Sequence, residues 1–309
     1  MDKTTEAKPQ AVERLEMENR VGEHNGRFYT ALGDGLIVEI EPGACRVIDE
    51  TDLSLETDLQ LPQVEPVLIG NPDPFRLFDF VSVAPKDKLL LMVYVILAFV
   101  PRIFKPLLYV TGPQGAGKSV LCSMLKMLID PTRVVLSSVP DQPSDLDLLL
   151  LRYYVTVLDN LSGLNNEVCD RLCAFVTSGF IEEVQLSSDT DTILLRANSM
   201  VILNGIVAQQ NRPGLSERTW RIAVEPIIKE KLTTEKRLWS AFKAVTPEIL
   251  GGCFIALSRA MEIHPKIEGT LSGSLLMSDA AEWGCAIAEA LRPGSSADFL
   301  DTITNDINQ

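Results

Sequence analysis

Histidine is the scarcest chemically versatile residue in this 309-residue chain, with only His24 and His264 present. Cysteine is little richer: six, at positions 45, 122, 169, 173, 253 and 285, none in a CxxC pair. A structural zinc site needs about four closely spaced Cys or His ligands, so this inventory argues against one. Cys169 and Cys173 lie one helical turn apart, a spacing shared by many core residues. They read as small buried apolar side chains in a reducing compartment. Positive charge is also short: 28 Lys and Arg stand against 42 Asp and Glu, a net charge of −14. Such a surface repels nucleic acid at long range, so any DNA contact must be made locally, in a groove or pore. Long hydrophobic runs are absent. The longest, Leu89–Val100, is well short of the roughly 20 residues a membrane helix needs, and Pro101 stops it. It reads as a fully buried helix. The first residues, MDKTTEAKPQ, carry no hydrophobic signal core. The expectation is a cytoplasmic protein with no membrane contact.

What is present is ordinary globular composition, 46% hydrophobic and 23% charged. Residues 1–25 read as a charged, flexible leader, poorly ordered or helical. Residues 26–74 read as a small β-rich module and linker. Within it RFYTAL, GLIVEI and CRVID are short strands separated by Gly-Asp-Gly and Glu-Pro-Gly turns. Between Asp34 and Asp73 there are ten acidic residues and one base, Arg46, read as a solvated face. Gln60–Pro74 carries four prolines and reads as a linker. From about 75 to 225 strands and helices alternate, the mark of an α/β core with a mainly parallel sheet. Residues 226–309 read as helical, with helices expected over Thr234–Val245, Pro247–Met261 (proline in its first turn) and Leu275–Leu291.

The strongest signal is LLYVTGPQGAGKSVLCSMLKMLI. Leu107–Thr111 is a short apolar strand. The run Gly112, Pro113, Gln114, Gly115, Ala116, Gly117, Lys118, Ser119 fits GxxxxGK(S/T), with Val120 opening the helix behind it. Val120, Leu121, Met124, Leu125 and Leu128 fall on one helical face, and Asp130-Pro131 ends it. Phosphate oxygens need several inward-pointing N–H groups, and glycines let the backbone curl that tightly. The helix N-terminus adds its dipole. Lys118 is placed to reach the β and γ phosphates, and Ser119 to ligate Mg²⁺. ATP and Mg²⁺ are the expected cofactors.

A phosphate loop needs an acidic partner for the metal. Tyr154–Leu158 reads as a buried strand with Asp159 at its C-terminal end, where open α/β sheets bind ligands. Asp159 is the expected Mg²⁺ ligand beside Ser119. Its alternative role, capping the next helix, is already available to Asn165 and Asn166. Asn160 follows, where related ATPases carry a glutamate. An amide can orient water but cannot take its proton, so the base stays open, with Glu182 and Glu183 as candidates. A third strand, Ser199–Leu203, ends at Asn204, expected to hold the attacking water or γ-phosphate. The other reading of Asn204 is a turn residue before Gly205. Arginines cluster at Arg212, Arg218 and Arg221. Arg218 is the expected finger for a neighbouring subunit's γ-phosphoryl group, with Arg212 in reserve. Arg221 is read as pairing with surface carboxylates.

The order GPQGAGKS, VTVLDN, VILNGI, RPGLSER resembles the superfamily-3 helicase branch of AAA+ ATPases. More closely, LDNLSGLNNEVCDRLC, VILNGI and RPGLSERT resemble a bacterial group of phage- and mobile-element-associated ATP-binding proteins. The resemblance covers roughly residues 30–290. It implies an α/β P-loop NTPase fold and a homo-oligomer, in its ring form a hexamer. It also implies service to DNA replication or remodelling, alongside a protein partner such as a primase. In replicative helicases of this superfamily a hairpin before the third strand grips DNA with a basic or aromatic tip. Here Phe180–Arg196 reads as the hairpin, but its tip carries Asp189 and Asp191, which repel phosphate. The second reading is therefore an ATP-driven switch or assembly module acting on a protein. A third, a small-molecule kinase, fits Asn204 and the arginine cluster poorly.

Overall fold

The computed structural model describes residues 17–18, 20–49, 61–161, 163–184, 192–196, 199–205, 213–226, 234–273 and 275–307. The chain opens on an antiparallel sheet of five strands in sequence order. They are β1 (Met17–Glu18), β2 (Val21–His24), β3 (Arg27–Gly33), β4 (Leu36–Glu41) and β5 (Ala44–Asp49). The turn chemistry explains the hairpins. Asp34 and Gly35 both take positive φ (53° and 79°), as a two-residue turn that matches strand twist requires. The sheet reaches back to Met17, ahead of the expected start at residue 26, because Val21–His24 pairs with Arg27–Thr30 across an Asn25-Gly26 turn.

Next come α1 (Lys88–Leu97), β6 (Leu107–Thr111), α2 (Lys118–Ile129), β7 (Ser137–Ser138), α3 (Pro143–Arg152) and β8 (Val155–Leu161). They are followed by α4 (Asn166–Ser178), β9 (Phe180–Val184), β10 (Thr192–Arg196) and β11 (Met200–Gly205). The core closes with α5 (Pro213–Ser216) and β12 (Thr219–Ala223). The order β12-β6-β11-β8-β7 forms one five-stranded sheet, parallel throughout. β9 and β10 form a separate antiparallel ladder, as the hairpin reading expects. Its acidic tip, with Asp189 and Asp191, lies outside the described residues.

Side-chain alternation divides the parallel sheet into two faces. Leu108, Val110, Val155, Val157, Met200 and Ile202 join the larger core with α1 and α2. Leu107, Tyr109, Leu158, Val201 and Leu203 face α3 and α4. The run at 89–97 is buried at every position, as its composition dictates. The architecture is therefore an α/β P-loop core with a parallel sheet, a small N-terminal β-sheet and C-terminal helices. One apolar cluster crosses all the expected boundaries, joining Val38 and Ile40 of the N-terminal sheet to Phe254 and Phe299 near the C-terminus.

The C-terminal helices are α6 (Glu235–Ile263), α7 (Ser278–Leu291) and α8 (Ser296–Ile307). Two expected helices prove to be one, because α6 runs through Pro247. Proline lacks the N–H that would bond to the carbonyl four residues earlier. That carbonyl belongs to exposed Lys243, where solvent can satisfy it. The helix α8 was not expected. Phe299 and Ile303, one turn apart, tie it to the core. By length and composition α6 with its following turn could cross a membrane, but 61% of its most apolar window is buried in the fold. It is a core helix in this structure.

The segment expected as a linker is strapped across the fold. Gln63 bonds through its N–H to the Leu32 carbonyl, and Val67 to the Pro247 carbonyl. The strap then crosses α6 at Gly251-Gly252. A Cβ on Gly251 would sit 1.8 Å from the Val67 carbonyl oxygen, and one on Gly252 2.4 Å from Pro74 Cδ. On an exposed helix Gly→Ala gains about 1 kcal/mol. Here the sign reverses: Gly251→Ala is expected to cost about 2 kcal/mol or more through backbone displacement, read as a lower denaturant midpoint. An unchanged or raised midpoint would show that the strap does not bear on this face.

Candidate active site

Three parallel strands bring their C-terminal ends to one edge: β6, then β11, then β8. Alternation sets what each presents there. Asp159 continues the face of Val155 and Val157, and Asn204 that of Met200 and Ile202, the face α2 covers. The loop after β6 turns into α2, so Ser119, in its first turn, drops between them. Ser119 Oγ donates to Asp159 Oδ1 at 3.0 Å, with Oδ2 at 3.3 Å. Asn204 Nδ2 donates to Ser119 Oγ at 3.0 Å and also to Asp159 Oδ1. Asn204 is 2% exposed, and its Oδ1 accepts no hydrogen bond. A buried acceptor without a donor is costly, and this one belongs to a side chain that lines the cleft.

The loop is built as its glycines predict. Gly112, Gly115 and Gly117 have φ of 142°, 77° and 91°, and Gly117 forms the left-handed step into α2. A Cβ on Gly112 would lie 2.4 Å from the Val224 carbonyl oxygen, so the loop's entry tolerates no side chain. Pro113 is exposed and Ala116 is buried beneath the loop. Gln114, Gly115, Gly117, Lys118, Ser119 and Val120 form one wall of an open cleft of about 510 Å³. Asp159, Asn160, Asn204 and Gly205 form the other. Lys118 Nζ donates to the carbonyls of Gly112 and Pro113 (2.9 and 3.0 Å), which holds its charge at the mouth of the loop.

These residues suit a nucleotide and its metal. Mg²⁺ is usually held by one or two carboxylates with waters and phosphate oxygens. One carboxylate and one hydroxyl converge here, beside the glycine loop and the orphaned Asn204 Oδ1. Among the described residues no cluster of three or more His, Cys, Asp or Glu could hold a metal alone, so phosphate oxygens would complete the shell.

Asn160 has a distinct backbone. Leu203 pairs with Leu158 and Gly205 with Leu161, so Asp159 and Asn160 together oppose Asn204 alone. That is a bulge, a device that re-aims a side chain beside a site. It forces Asn160 to φ 58°, a left-handed conformation that asparagine tolerates better than most residues. Gly205, not singled out in the sequence, is also constrained. Its missing side chain leaves room for the Leu161 carbonyl and the Tyr109 hydroxyl, each 2.9 Å from where a Cβ would stand. The Asn-Gly dipeptide is the available signal, and the turn it suggests is the alternative to the favoured role of Asn204 at the phosphate.

Arg218 is not brought to the cleft. Its carbonyl accepts from Leu107 N–H, at the start of β6, and Thr219 pairs with Leu107. Five strand residues, roughly 16 Å, separate that edge from the loop. Arg218 donates to Thr177 Oγ1 (2.9 Å) and to the Gly214 carbonyl (2.6 Å). Arg221 donates to Ser216 Oγ at 2.7 Å. Arg212 lies outside the described residues, as do the side chains of Glu182 and Glu183 on β9. Asn165 caps α4 by accepting from Val168 N–H, which leaves Asp159 free of that role.

Residues 74–306 match the family model described as actinomycete integrative conjugative element replication protein. A comparison with curated proteins gave no match. Among solved structures, the chain is similar to the apo NrS-1 C-terminal region (305-718), with 13% identity and TM-score 0.43 over 73% of this chain and 65% of that one. It is similar to a candidate ATPase from Cytophaga hutchinsonii (11%, TM-score 0.40, 75% and 81%). It is also similar to JCV helicase (12%, TM-score 0.36, 75% and 64%). The chain thus spans just under two thirds of the first and third of these structures. At such scores the likenesses carry no argument about function.

The bulge yields a test of the site's backbone. Asn160→Gly removes the left-handed penalty and is expected to hold or raise stability by up to about 1 kcal/mol. Asn160→Val forces a β-branched residue into that conformation and is expected to lose about 1–3 kcal/mol. Thermal unfolding of both variants reads the difference, and equal midpoints would remove the bulge from the account.

Proposed function

The chain belongs to the actinomycete integrative conjugative element replication proteins, and from that premise we propose that it is a Mg²⁺-dependent ATPase of the AAA+/superfamily-3 type. It would act as an oligomer in replicating or remodelling the DNA of the element. One observation carries the reading: the convergence of Ser119, Asp159 and Asn204 beside the glycine loop. Ser119 and Asp159 would hold Mg²⁺, directly or through water. Lys118 would leave its loop carbonyls for the β and γ phosphates. The unpaired Asn204 Oδ1 would accept from the attacking water, and Asn160, re-aimed by the bulge, would help to orient it. Mg²⁺ when bound would neutralise the developing phosphate charge. Neither asparagine can take the water's proton, and Asp159 is committed to the metal, so the general base stays unassigned.

Arg218 fits only one part of this scheme. Sixteen or so ångströms of sheet keep it from its own cleft, so its role would be in a second copy's site. Lys118→Ala is expected to abolish ATP binding or turnover, and an unaffected rate would refute the nucleotide site. Arg218→Ala is expected to bind ATP normally and to hydrolyse it about a thousandfold more slowly. Mixing the two variants should restore part of the activity, since each supplies what the other lacks. A mixture as inactive as its components would end the shared-site reading.

The net charge of −14 favours a second reading, in which the same ATPase drives a protein partner such as a primase. Hydrolysis measured with single-stranded and forked DNA at low salt, about 50 mM, separates the two. Stimulation and binding support the DNA motor, and their joint absence supports the protein-directed switch.

A further inference from the structure

Below the cleft lies a second cluster of charge. Arg20 Nε donates to Asp130 Oδ1 at 2.7 Å, and Lys126 Nζ to Asp130 Oδ2 at 2.8 Å. Their side chains are 2%, 1% and 5% exposed for Arg20, Lys126 and Asp130 respectively. Two cations and one anion buried together are expensive unless every group is bonded. Here they are. Arg20 also donates to the Leu61 and Pro131 carbonyls. Lys126 also donates to the Val155 carbonyl and lies 4.6 Å from the Tyr153 ring centroid. Asp130 also accepts from Val155 N–H at 3.1 Å. Burial opposes ionisation of Asp130, but the Lys126 and Arg20 charges outweigh it and hold its carboxyl below its usual range.

The partners reveal a register. Lys126 follows Ser119 by seven positions, two helical turns, and so shares its face about 10 Å further along α2. Val155 precedes Asp159 by four, about 13 Å down β8 and on the same side. The same face of α2 therefore meets β8 at two points: Ser119 on Asp159 at the cleft, and Lys126 with Asp130 on Val155 at the far end. Arg20 adds the N-terminal sheet to the lower point, not to the α2–β8 contact itself.

We propose that Lys126 is a positioning residue for the metal site: by pinning the far end of α2 to Val155, it fixes how Ser119 and Asp159 approach one another. This rests on the proposed Mg²⁺ site. Removing either cation leaves a neutral pair with Asp130, so Lys126→Met and Arg20→Met share the same remaining charge balance but differ in what they uncouple. K126M removes the Lys126 bond to the Val155 carbonyl and leaves α2 joined to Val155 through Asp130 alone. R20M frees the N-terminal sheet and the Leu61 and Pro131 carbonyls but leaves both Lys126 and Asp130 on Val155.

The test is ATP binding to the full chain, measured with Mg²⁺ titrated in and with Mg²⁺ chelated, alongside thermal unfolding. K126M is expected to need about tenfold more Mg²⁺ for half-maximal binding, the usual scale for residues supporting a metal ligand, with Mg²⁺-free affinity unchanged. R20M is expected to lose thermal stability with its Mg²⁺ dependence intact. A K126M chain with wild-type Mg²⁺ dependence overturns the proposal, as does an R20M chain shifted equally. If K126M does not fold, K126Q, which keeps a donor for Val155, carries the comparison with a smaller shift expected and no shift overturning it. A wild-type chain whose ATP binding ignores Mg²⁺ overturns the metal site and this proposal together. A responsive wild type with an unshifted variant overturns this proposal alone.

Discussion

The constraint on which the cleft depends is the seating of α2 against the middle of the parallel sheet. A hydroxyl, a carboxylate and an amide from three elements must meet within hydrogen-bond distance, and no local sequence preference can arrange that. Helical period places Ser119 on the face of α2 that looks at the sheet. Strand period places Asp159 and Asn204 on the face that looks at α2. Apolar burial of Leu121, Leu125 and Leu128 against Val155, Val157 and Ile202 holds the two faces together. Burial fixes distance between layers well but is non-directional, so it fixes sliding poorly. Directional bonds at the two ends of the seam supply what packing does not.

Much of this was legible in the sequence because the decisive features are local. The strand at 107–111, the glycine loop and the amphipathic helix are consecutive, and the structure places them as their periods require. Asp159 and Asn204 could be read as strand ends because polar residues terminate apolar runs. What could not be read was relational. The order β6-β11-β8 puts Asn204 between the loop strand and Asp159, and sheet order leaves no trace in the spacing of motifs. The bulge at Asp159–Asn160 is a mismatch between two strands and exists in neither alone. The Asp130 cluster joins residues 110 positions apart; in the sequence Asp130 was only a helix stop before proline. α6 was divided at Pro247 because local rules forbid what burial of the following turns, Ile249 to Leu257, sustains.

The bulge bears on why the site has the residues it has. The bulge turns Asn160 toward the cleft, and the left-handed backbone it imposes favours asparagine, aspartate or glycine over other side chains. A glutamate at this position would meet that backbone at a cost, so the amide and the bulge are matched choices. On the proposed reading the consequence is chemical: orientation of water is supplied by two amides, and neither of them removes its proton.

The two edges of the parallel sheet carry opposite parts of the proposed reaction. All strand C-termini face the loop side, with its N–H groups and the Ser119–Asp159 pair. Arg218 sits at the opposite edge, anchored to Thr177 and Gly214. Parallel strands cannot bring their two ends together, so no hinge within the core could deliver Arg218 to its own cleft. If Arg218 contributes to phosphoryl transfer, the neutralising charge must arrive from another copy, and a single chain would bind nucleotide with its site unfinished. Assembly would then be a condition of catalysis, whatever the hydrolysis drives. The acidic surface would act in the same direction, because a chain of net charge −14 opposes association unless local contacts such as this arginine overcome the repulsion.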